Sequence, residues 1–476
     1  MSDDYREAAL SLVVECGCEG PLPVLLGAQM TLDGFPVAEA QDALALRPAG
    51  TTVVQSLLLR EARVWPASGG LYEARLVLAD RAGEPFDALS FGFGVREVQL
   101  LPTAEGLLTL NGEPLAVKAW EAPRSGAIPD AETATTLAAA GANLAHLPGR
   151  PAAPSFYEAA DAAGLLVWQS LPADGPLPPV AEFVRGVGNH PCLAVWSAAD
   201  DSDAAELREL VSVEAPRSPW AGRFPDAEAL PALQLPPAST TGLTALLTAA
   251  GAQRDIERRR MEGSGVLLRA AEGRAFPNAD SPLFWAVRRA LRPLQVSALS
   301  SPDANGLDAE VWLLNDGPDL PLLNVIASLR SLEGDLLYQE NLATEAIAGE
   351  AELAGDLYWR PTAGESGPLW VFLEVVDEEG DTLAQDSLLL LPPEGAPPLP
   401  PTRLELVDEE DGVRVRNVGA AVAVGVNVAA ADPLRLEDNC FFLAPGASRR
   451  LGDRQAGVTA VTALNAAATT KEQPDG

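Results

Sequence analysis

The middle of the chain reads LAAAGANLAHLPGR at residues 137–150 and FYEAADAAGLLVWQSL at residues 156–171. In both segments an Ala-rich stretch of helical character leads into a short apolar stretch. Gly141 and Gly164 stand where the C-terminus of a helix favours glycine, and Asp130 and Ser155 are expected to cap the two helices. Strands that alternate with helices in this way predict βα units around a parallel sheet.

The same alternation extends in both directions along the chain. Strand patterns recur as LAVKAW (115–120) and LAVWSAA (193–199), and helices are predicted within 241–263 and 281–293. A complete (β/α)8 barrel takes about 250 residues, whereas the α/β region at 101–293 has 193. The shortfall lies between Asp201 and Pro231, where five Pro or Gly breaks interrupt the pattern. We therefore predict a shortened TIM-like barrel whose sixth strand is absent or vestigial.

The regions outside the barrel have the period-two pattern of β-strands. Residues 1–100 contain about seven segments of strand length, typical of a β-sandwich. The segment PPEGAPPLPP at 392–401 reads as a semi-rigid spacer. The predicted domains are a sandwich at 1–100, the shortened barrel at 101–293, a second sandwich at 294–391, a small β domain at 402–465 and a disordered tail at 466–476.

Composition narrows the possible partners and location. The 476 residues include 33 Lys and Arg against 67 Asp and Glu, a formal charge of −34. This surplus repels phosphate, so neither nucleic acid nor a membrane surface is an expected partner. Lysine occurs only at 118 and 471, so nearly all basic residues are arginine, which is typical of a coding bias. We therefore interpret the acidic residues as an ordinary solvated surface. A halophilic origin is the alternative that stays open. The polar start MSDDYREAAL is unlike a signal peptide, which makes the cytoplasm the expected location.

Metal and cofactor sites are not expected. Four Cys and two His leave few ligands for a metal cage. Cys16 and Cys18 are too close together for a zinc knuckle, and Cys192 and Cys440 read as small buried apolar residues.

Seven segments resemble, in collinear order, glycoside hydrolase family 2 and its β-mannosidase-like branch. They are WPASGGLYEARLVLAD with SFGFGVREVQL (65–100), LTLNGEPLAVKAWEAP (108–123), the two stretches within 137–171, VGNHPCLAVWSAADD (187–201), FWAVRRALRPLQVS (284–297), VWLLNDG (311–317) and LEDNCFFLAPG (436–446). The resemblance implies that the flanking β domains are immunoglobulin-like, one before the barrel and two after it. No counterpart of the family's N-terminal jelly-roll domain is recognised.

The resemblance also implies a retaining mechanism with two carboxyl groups about 5–5.5 Å apart. Aligned on Asn189-His190-Pro191 and Trp196, the family's acid/base Glu falls on Asp201, and the Asn before it falls on Asp200. A carboxylate is thus kept one methylene shorter, and a retraction of about 1 Å can cost on the order of 100-fold in rate. The alternative reading is that both are solvated acids at the start of a helix.

The second carboxylate is not found in the sequence. The family's nucleophile segment aligns with PALQLPPAS (231–239), where it falls on Leu235-Pro236, and Asp226 and Glu228 lie too early. The last barrel strand, GVLLRAAEG (265–273), has Arg269 where the family has a sugar-stacking Trp, and Glu272 is its only acid.

Three further residues are candidates for contact with a sugar. His146 takes the place of a family Arg, although a lone His at a strand end is more often satisfied structurally. Trp120 and Trp168 stand at strand ends and could stack on a sugar face or pack the barrel. Trp196 fits the apolar pattern of its strand and reads as core.

Three functional hypotheses follow from these residues. The first is a catalytically degenerate family 2 homologue that binds a glycan, an oligosaccharide or a protein partner. The second is an active retaining exo-glycosidase with Asp201 as acid/base. The third is a structural or interaction protein whose β domains matter and whose barrel is a spacer.

Overall fold

The chain is mostly β, as the strand patterns of its sequence predict. It contains one parallel sheet of six strands and several antiparallel sheets. The computed structural model describes residues 5–66, 69–101, 107–172, 176–199, 204–216, 218–225, 230–238, 242–263, 265–270, 275–300, 306–360, 367–392 and 398–471. Two compact units divide the chain. The first comprises residues up to Val117 with 124–138 and 143–225, and the second comprises 118–123, 139–142 and the residues from 226 onward.

Six strands begin the first unit. They are β1 (Glu7–Cys16), β2 (Leu22–Leu32), β3 (Phe35–Leu46), β4 (Thr51–Arg60), β5 (Leu71–Ala79) and β6 (Pro85–Gly94). Strands β1 and β4 pair antiparallel, and the other four form a sheet in the order β3-β2-β5-β6. Alternate side chains point inward from both sheets, so Met30, Leu57 and Leu76 share one buried cluster.

A small antiparallel sheet follows, formed by β7 (Val98–Leu100), β8 (Leu108–Leu110) and β9 (Glu113–Pro114). Asn111 and Gly112 connect β8 to β9 with φ angles of 52° and 85°. Two successive positive φ angles are what a tight hairpin turn requires, and Asn-Gly adopts them most readily. The Asn-Gly pair of the segment LTLNGEPLAVKAWEAP (108–123) therefore forms this turn.

The βα region contains the parallel strands and the helices between them. Its elements are β10 (Val117–Glu121), α1 (Ala131–Ala139), β11 (Leu144–Pro148), α2 (Pro154–Ala163), β12 (Leu166–Leu171), α3 (Leu177–Val187), β13 (Leu193–Ala198) and α4 (Ala205–Glu214). Within the first unit, β11 pairs parallel with β12, and β12 pairs parallel with β13. All residues of these three strands are buried, as expected of parallel strands covered on both faces.

The predicted helix ends are correct in three places and wrong in one. The Asp130 carboxylate accepts a hydrogen bond of 3.1 Å from the backbone N–H of Thr133, and Gly141 and Gly164 have positive φ angles. Ser155 is not a cap: α2 begins one residue earlier, at Pro154, and Ala153 precedes it. Proline fits the first helical position because its fixed φ suits a helix and it has no N–H to leave unbonded.

A rudimentary fifth strand lies beside β13. The backbone N–H of Trp196 donates to the Pro219 carbonyl at 3.0 Å, and the N–H of Ala221 donates to the Trp196 carbonyl at 2.9 Å. The segment that contains Pro219 therefore runs parallel to β13, with Trp196 facing Trp220 across the bridge. Proline and glycine on either side limit the pairing to a few residues.

The second unit adds two more parallel strands and two helices. These are β14 (Ala232–Gln234), α5 (Gly242–Glu262), β15 (Gly265–Arg269) and α6 (Pro282–Ala290), and the strand order within this unit is β10-β15-β14. A sandwich follows, with sheets β16-β17-β20 and β19-β18-β21-β22. Its strands are β16 (Leu294–Ser300), β17 (Leu307–Asn315), β18 (Leu320–Ser331), β19 (Leu336–Ala346), β20 (Glu350–Trp359), β21 (Leu369–Val376) and β22 (Thr382–Leu390).

The last strands form two further antiparallel sheets, β23-β24-β27 and β26-β25-β28-β29. They are β23 (Leu404–Glu409), β24 (Gly412–Asn417), β25 (Ala423–Ala430), β26 (Phe441–Leu443), β27 (Ser448–Asp453), β28 (Val458–Ala463) and β29 (Ala466–Thr470), with short 3-10 helices at Pro433–Arg435 and Arg454–Ala456.

The disordered tail predicted at 466–476 is wrong for its first five residues. Strand β29 pairs antiparallel with β28, and the Thr469 hydroxyl donates to the Leu404 carbonyl at 2.9 Å. Just before β29, the side-chain amide of Asn465 donates hydrogen bonds to the Pro400 and Val422 carbonyls. These bonds hold the turn between β28 and β29 in place. These contacts come from distant parts of the chain and leave little trace in the local pattern.

None of the helices among the described residues combines the length and the apolar composition needed to cross a membrane.

Candidate functional site

Four side chains in the first unit meet on one face of the three parallel strands. His146 lies on β11, Trp168 and Ser170 on β12 and Ser197 on β13, and the strand register places them on the same side of the sheet. The imidazole Nε2 of His146 lies 2.9 Å from Ser170 Oγ, which lies 2.8 Å from Ser197 Oγ. All four side chains are buried. We call this group the His146 cluster.

In the His146 cluster, the donor and acceptor are fixed for one hydrogen bond, the one between Trp168 and Ser197. An indole N–H can only donate, so the bond of 3.0 Å from Trp168 Nε1 makes Ser197 Oγ an acceptor. Ser197 and Ser170 can each donate one proton further along the chain of bonds toward His146. The cluster holds hydroxyl, imidazole and indole groups and no carboxylate, so it lacks the group that a glycosidase uses as nucleophile.

Phe224 covers this cluster. Its ring is stacked on the His146 imidazole with 3.7 Å between ring centres and an angle of 7°, and it meets the Trp168 ring edge-on at 5.0 Å. One face of the imidazole is therefore in contact with an aromatic ring of the same chain. The sequence singled out His146 and Trp168 but not Phe224, because Phe224 stands in an irregular segment with no strand or helix pattern.

Trp196 points to the opposite face of β13. It is fully buried and meets Phe183 of α3 edge-on at 6.1 Å, so it packs the sheet against a helix, as its apolar pattern predicted.

A groove of about 520 Å³ lies between α4 and the rudimentary fifth strand. Its lining includes the half-buried ring of Trp220 and the exposed polar side chains of Arg208, Glu209 and Ser212. An accessible aromatic ring beside charged and hydroxyl groups offers the mixture of stacking and hydrogen bonding that polar ring-shaped ligands require.

The two acidic residues of the predicted acid/base motif, Asp200 and Asp201, lie outside the described residues. The last described residue before them is Ala199, which directly follows β13, and its carbonyl accepts a hydrogen bond of 3.3 Å from the Arg124 guanidinium.

In the second unit, Trp120 is 2% exposed and meets Phe276 edge-on at 6.4 Å. Its indole N–H is buried and has no hydrogen-bond partner among the described residues. The ring therefore packs in the core, which was the alternative to stacking on a sugar face.

The neighbouring residue Glu121 is the one carboxylate on the six parallel strands β10 to β15, all of whose residues are described. Arg269 at the end of β15 binds it at two points, with Nε and Nη2 at 2.9 and 3.2 Å from the two carboxylate oxygens. A paired arginine thus stands where the resemblance places a sugar-stacking Trp.

The position where the resemblance places the family nucleophile holds apolar residues. Leu235 is 1% exposed, and its backbone N–H donates to the Arg269 carbonyl at 2.8 Å. Pro236 follows it directly and has no ionisable group. The other acids considered from the sequence, Asp226, Glu228 and Glu272, lie outside the described residues.

Asp161, His190 and Cys192 form the one group among the described residues whose ligand atoms are close enough to hold a metal, all within 4.8 Å of one another. The Asp161 carboxylate already binds His190 Nδ1 at 2.5 Å and the backbone N–H of Cys192 at 2.9 Å. The Cys192 thiol donates to the Tyr157 carbonyl at 3.6 Å, and burial raises the pKa of that thiol. These hydrogen bonds stabilise the turn before β13. They use the atoms that would bind a metal, so a metal ion could bind only if they were broken. Cys192 is buried, as expected, but the groups that contact it are polar rather than apolar.

Comparisons with known proteins agree with this architecture. No sequence-family profile matches the chain. A β-galactosidase from Pectobacterium atrosepticum is 28% identical over 158 residues, a match that spans 28% of this chain and only 15% of the length of that curated relative.

Solved structures match almost the full chain. The β-D-mannosidase from Dictyoglomus thermophilum has a TM-score of 0.70 at 15% identity, covering 98% of this chain and 75% of that one. The exo-chitosanase CsxA from Amycolatopsis orientalis has a TM-score of 0.70 at 14% identity, covering 99% and 78%. A β-glucuronidase from glycoside hydrolase family 2 has a TM-score of 0.55 at 12% identity, covering 98% and 60%. The chain has the fold of glycoside hydrolase family 2.

The family 2 relationship drawn from seven sequence segments is thus confirmed at the level of the fold. Identities of 12–15% carry no information on activity. Two residues that matter to the site on this family 2 fold, Phe224 and Trp220, were missed from the sequence. Both lie between Asp201 and Pro231, where the chain departs from the βα pattern, and the one available signal was two large aromatic residues in a Pro- and Gly-rich segment.

Proposed function

We propose that this chain is a carbohydrate-binding homologue of family 2 glycosidases that does not hydrolyse glycosidic bonds. The observation that carries the proposal is the apolar pair Leu235-Pro236 at the nucleophile position, since retaining hydrolysis needs an ionised carboxylate there. The proposal includes the finer fold: an immunoglobulin-like sandwich, a shortened TIM-like barrel and two immunoglobulin-like β domains.

The sugar contacts predicted at His146 and Trp168 are difficult to maintain. Phe224 lies against both rings, so a sugar ring could stack there only after Phe224 moved away. This supports a barrel face that is closed by the chain itself.

The groove beside α4 is the better candidate for a glycan. It is open, it has room for about one or two sugar rings by its volume of 520 Å³, and Trp220 gives it an aromatic wall. We propose that an oligosaccharide stacks on Trp220 and donates hydroxyl hydrogen bonds to Glu209.

The alternative is an active retaining exo-glycosidase with Asp201 as acid/base and Asp200 beside it. What supports it is sequence position: Asp200 and Asp201 follow β13 after the single residue Ala199, and catalytic residues of barrel enzymes stand at the C-terminal ends of strands. A protein partner in place of a glycan is a further alternative, with no described feature in its favour.

Hydrolysis of a panel of p-nitrophenyl glycosides, including β-mannoside, β-galactoside and β-glucuronide, separates these functions. We expect no turnover above that of the Asp201→Ala variant on any sugar. Turnover by the unaltered protein that disappears in Asp201→Ala would establish the active alternative.

Binding is tested separately by titrating oligosaccharides of mannose, galactose and glucosamine against the intrinsic tryptophan fluorescence. We expect a saturable change that Trp220→Ala removes and that Trp312→Ala keeps. Trp312 is a half-buried Trp of β17 bound to Glu310, in a part of the chain unrelated to the groove. No saturable change with any oligosaccharide would contradict the glycan proposal.

A further inference from the structure

A small cavity in the second unit lies between α5, α6, β22 and β26. Its volume is about 50 Å³, and each water-sized group in a cavity needs about 10–15 Å³. The cavity therefore has room for about three or four non-hydrogen atoms. One end is apolar, walled by Leu246, Phe372, Leu389 and Phe442.

The other end of the cavity is cationic. Asp438 accepts from Arg289 Nη1 at 2.7 Å and from Arg449 Nη2 at 2.9 Å, and the Arg292 guanidinium lies 3.6 Å from the same carboxylate. Three guanidinium groups thus share one carboxylate, which leaves two positive charges without a counterion in this group.

A second carboxylate lines the cavity but is already shared. Asp386 lies 2.5 Å from the Arg254 guanidinium and accepts from Gln253 at 2.8 Å. Arg254 also binds the buried Glu257 at 2.6 Å. Glu437 also attracts Arg449, and Arg288 is attracted by Asp438. Counting these two with both groups, five arginines face four carboxylates, which leaves a surplus of one positive charge around the cavity.

Donors remain available at the cationic end. Arg449 Nε and Nη1 and Arg289 Nη2 have no hydrogen-bond partner among the described residues, although both side chains line the cavity. The Arg449 guanidinium is held over the Phe441 ring at 4.6 Å, which fixes its direction. In a chain with a net charge of −34, a half-buried positive surplus with unused donors calls for an anion.

We propose that this cavity binds a small monocarboxylate anion of the size of acetate. The carboxylate would accept from Arg289 and Arg449, which suit planar two-oxygen recognition. The alkyl end would lie against Leu246 and Phe442. The site is independent of the groove at Trp220, so its success or failure leaves the carbohydrate proposal unchanged.

Saturation-transfer NMR on the acetate methyl protons tests this site, with the protein in a carboxylate-free buffer at constant ionic strength set by sodium chloride. We expect transfer from the protein to the methyl group, lost at least tenfold in Arg449→Gln. The matched control is Arg435→Gln, an exposed arginine paired with Asp453 at 2.9 Å, which should keep the signal.

A second variant guards against misfolding of Arg449→Gln. Ala250→Leu fills the cavity from α5 and leaves every arginine in place, and it should also remove the methyl signal while circular dichroism stays that of the unaltered protein. The proposal fails if the unaltered protein shows no transfer to acetate, if chloride at equal concentration stabilises it against heat as much as acetate does, or if Arg449→Gln and Ala250→Leu both keep the signal.

Discussion

At the scale of single residues, Phe224 determines how accessible the ring of His146 is. The sequence predicts His146 as a sugar contact at a strand end, and the residue shares one face of the parallel strands with Trp168, Ser170 and Ser197. Its ring face, however, lies against Phe224, and its Nε2 is bonded to Ser170. A buried histidine with a bonded nitrogen and a stacked face is satisfied structurally, which is the alternative that the sequence had left open.

Asp438 gives a prediction about acid stability at the same scale. The guanidinium groups of Arg289, Arg449 and Arg292 hold the pKa of this buried carboxyl well below its usual range, although burial itself opposes them. A depressed pKa in the folded state stabilises the protein above the unfolded pKa and is lost as pH falls through the folded one. This contribution should therefore weaken progressively below about pH 4.

The Asp438→Asn variant should lose about 3–5 kcal/mol of unfolding free energy at pH 7, because it removes the buried carboxylate that three half-buried arginines share. Its stability should also fall less steeply than that of the unaltered protein from about pH 4 downward. Urea unfolding across pH measures both effects. Asp33→Asn is the control, because it removes an exposed carboxylate paired with Arg63. If the unfolding free energy of Asp438→Asn falls with pH as steeply as that of the unaltered protein, Asp438 does not contribute to the acid sensitivity.

At the scale of elements, α5 is anchored by a polar network rather than by an apolar stripe alone. Glu257 is fully buried and accepts from Gln253 at 2.9 Å, Gln295 at 3.0 Å and Ser297 at 2.5 Å, besides its contact with Arg254. Gln295 and Ser297 belong to β16, so the network ties the helix to the sandwich that follows it. Burial raises the pKa of Glu257 against the pull of Arg254.

Glu257→Gln should cost about 3–5 kcal/mol, since it breaks a buried ion pair and turns an amide N–H toward other donors. Glu262→Gln on the same helix removes an exposed pair with Arg259 at 3.2 Å and should change stability by about 0–0.5 kcal/mol. Chemical denaturation of both variants measures the difference. Similar costs in the two variants would mean that the buried network does not anchor α5.

At the scale of the whole molecule, charge opposes folding. With 67 acidic and 33 basic residues, like charges repel across the surface of the folded chain. Many arginines are bound to specific carboxylates, and such pairs are screened less when they are buried.

Salt should therefore stabilise this protein. The midpoint of urea unfolding is expected to rise between about 20 mM and about 500 mM sodium chloride, because the Debye length falls from roughly 20 Å to about 4 Å and surface repulsion is screened. An unchanged midpoint would mean that the acidic groups are already compensated. A protein that unfolds in low salt and needs molar salt to fold would favour the halophilic reading of its composition.

Particular residues show how far sequence reasoning reached. The βα alternation, the Asn111-Gly112 turn and the helix end at Gly164 depend on nearby residues, and all are present. The start of α2, strand β29 and the polar company of Cys192 were not predicted, because each depends on a contact with a remote segment or on a proline that displaces a cap. Asp200 and Asp201 remain predictions.

The sequence by itself determined the mostly β fold class with its βα region and the family 2 relationship, since these depend on residue type, periodicity and collinear order. The resemblance also places the apolar pair Leu235-Pro236 at the nucleophile position, which stays a prediction. Only the tertiary structure decided that Phe224 lies on His146, that Arg269 binds Glu121 and that three arginines converge on Asp438. These contacts join residues that are 11 to 149 positions apart, often from segments with no regular pattern. Local propensity cannot specify such contacts because packing and charge act through space rather than along the chain.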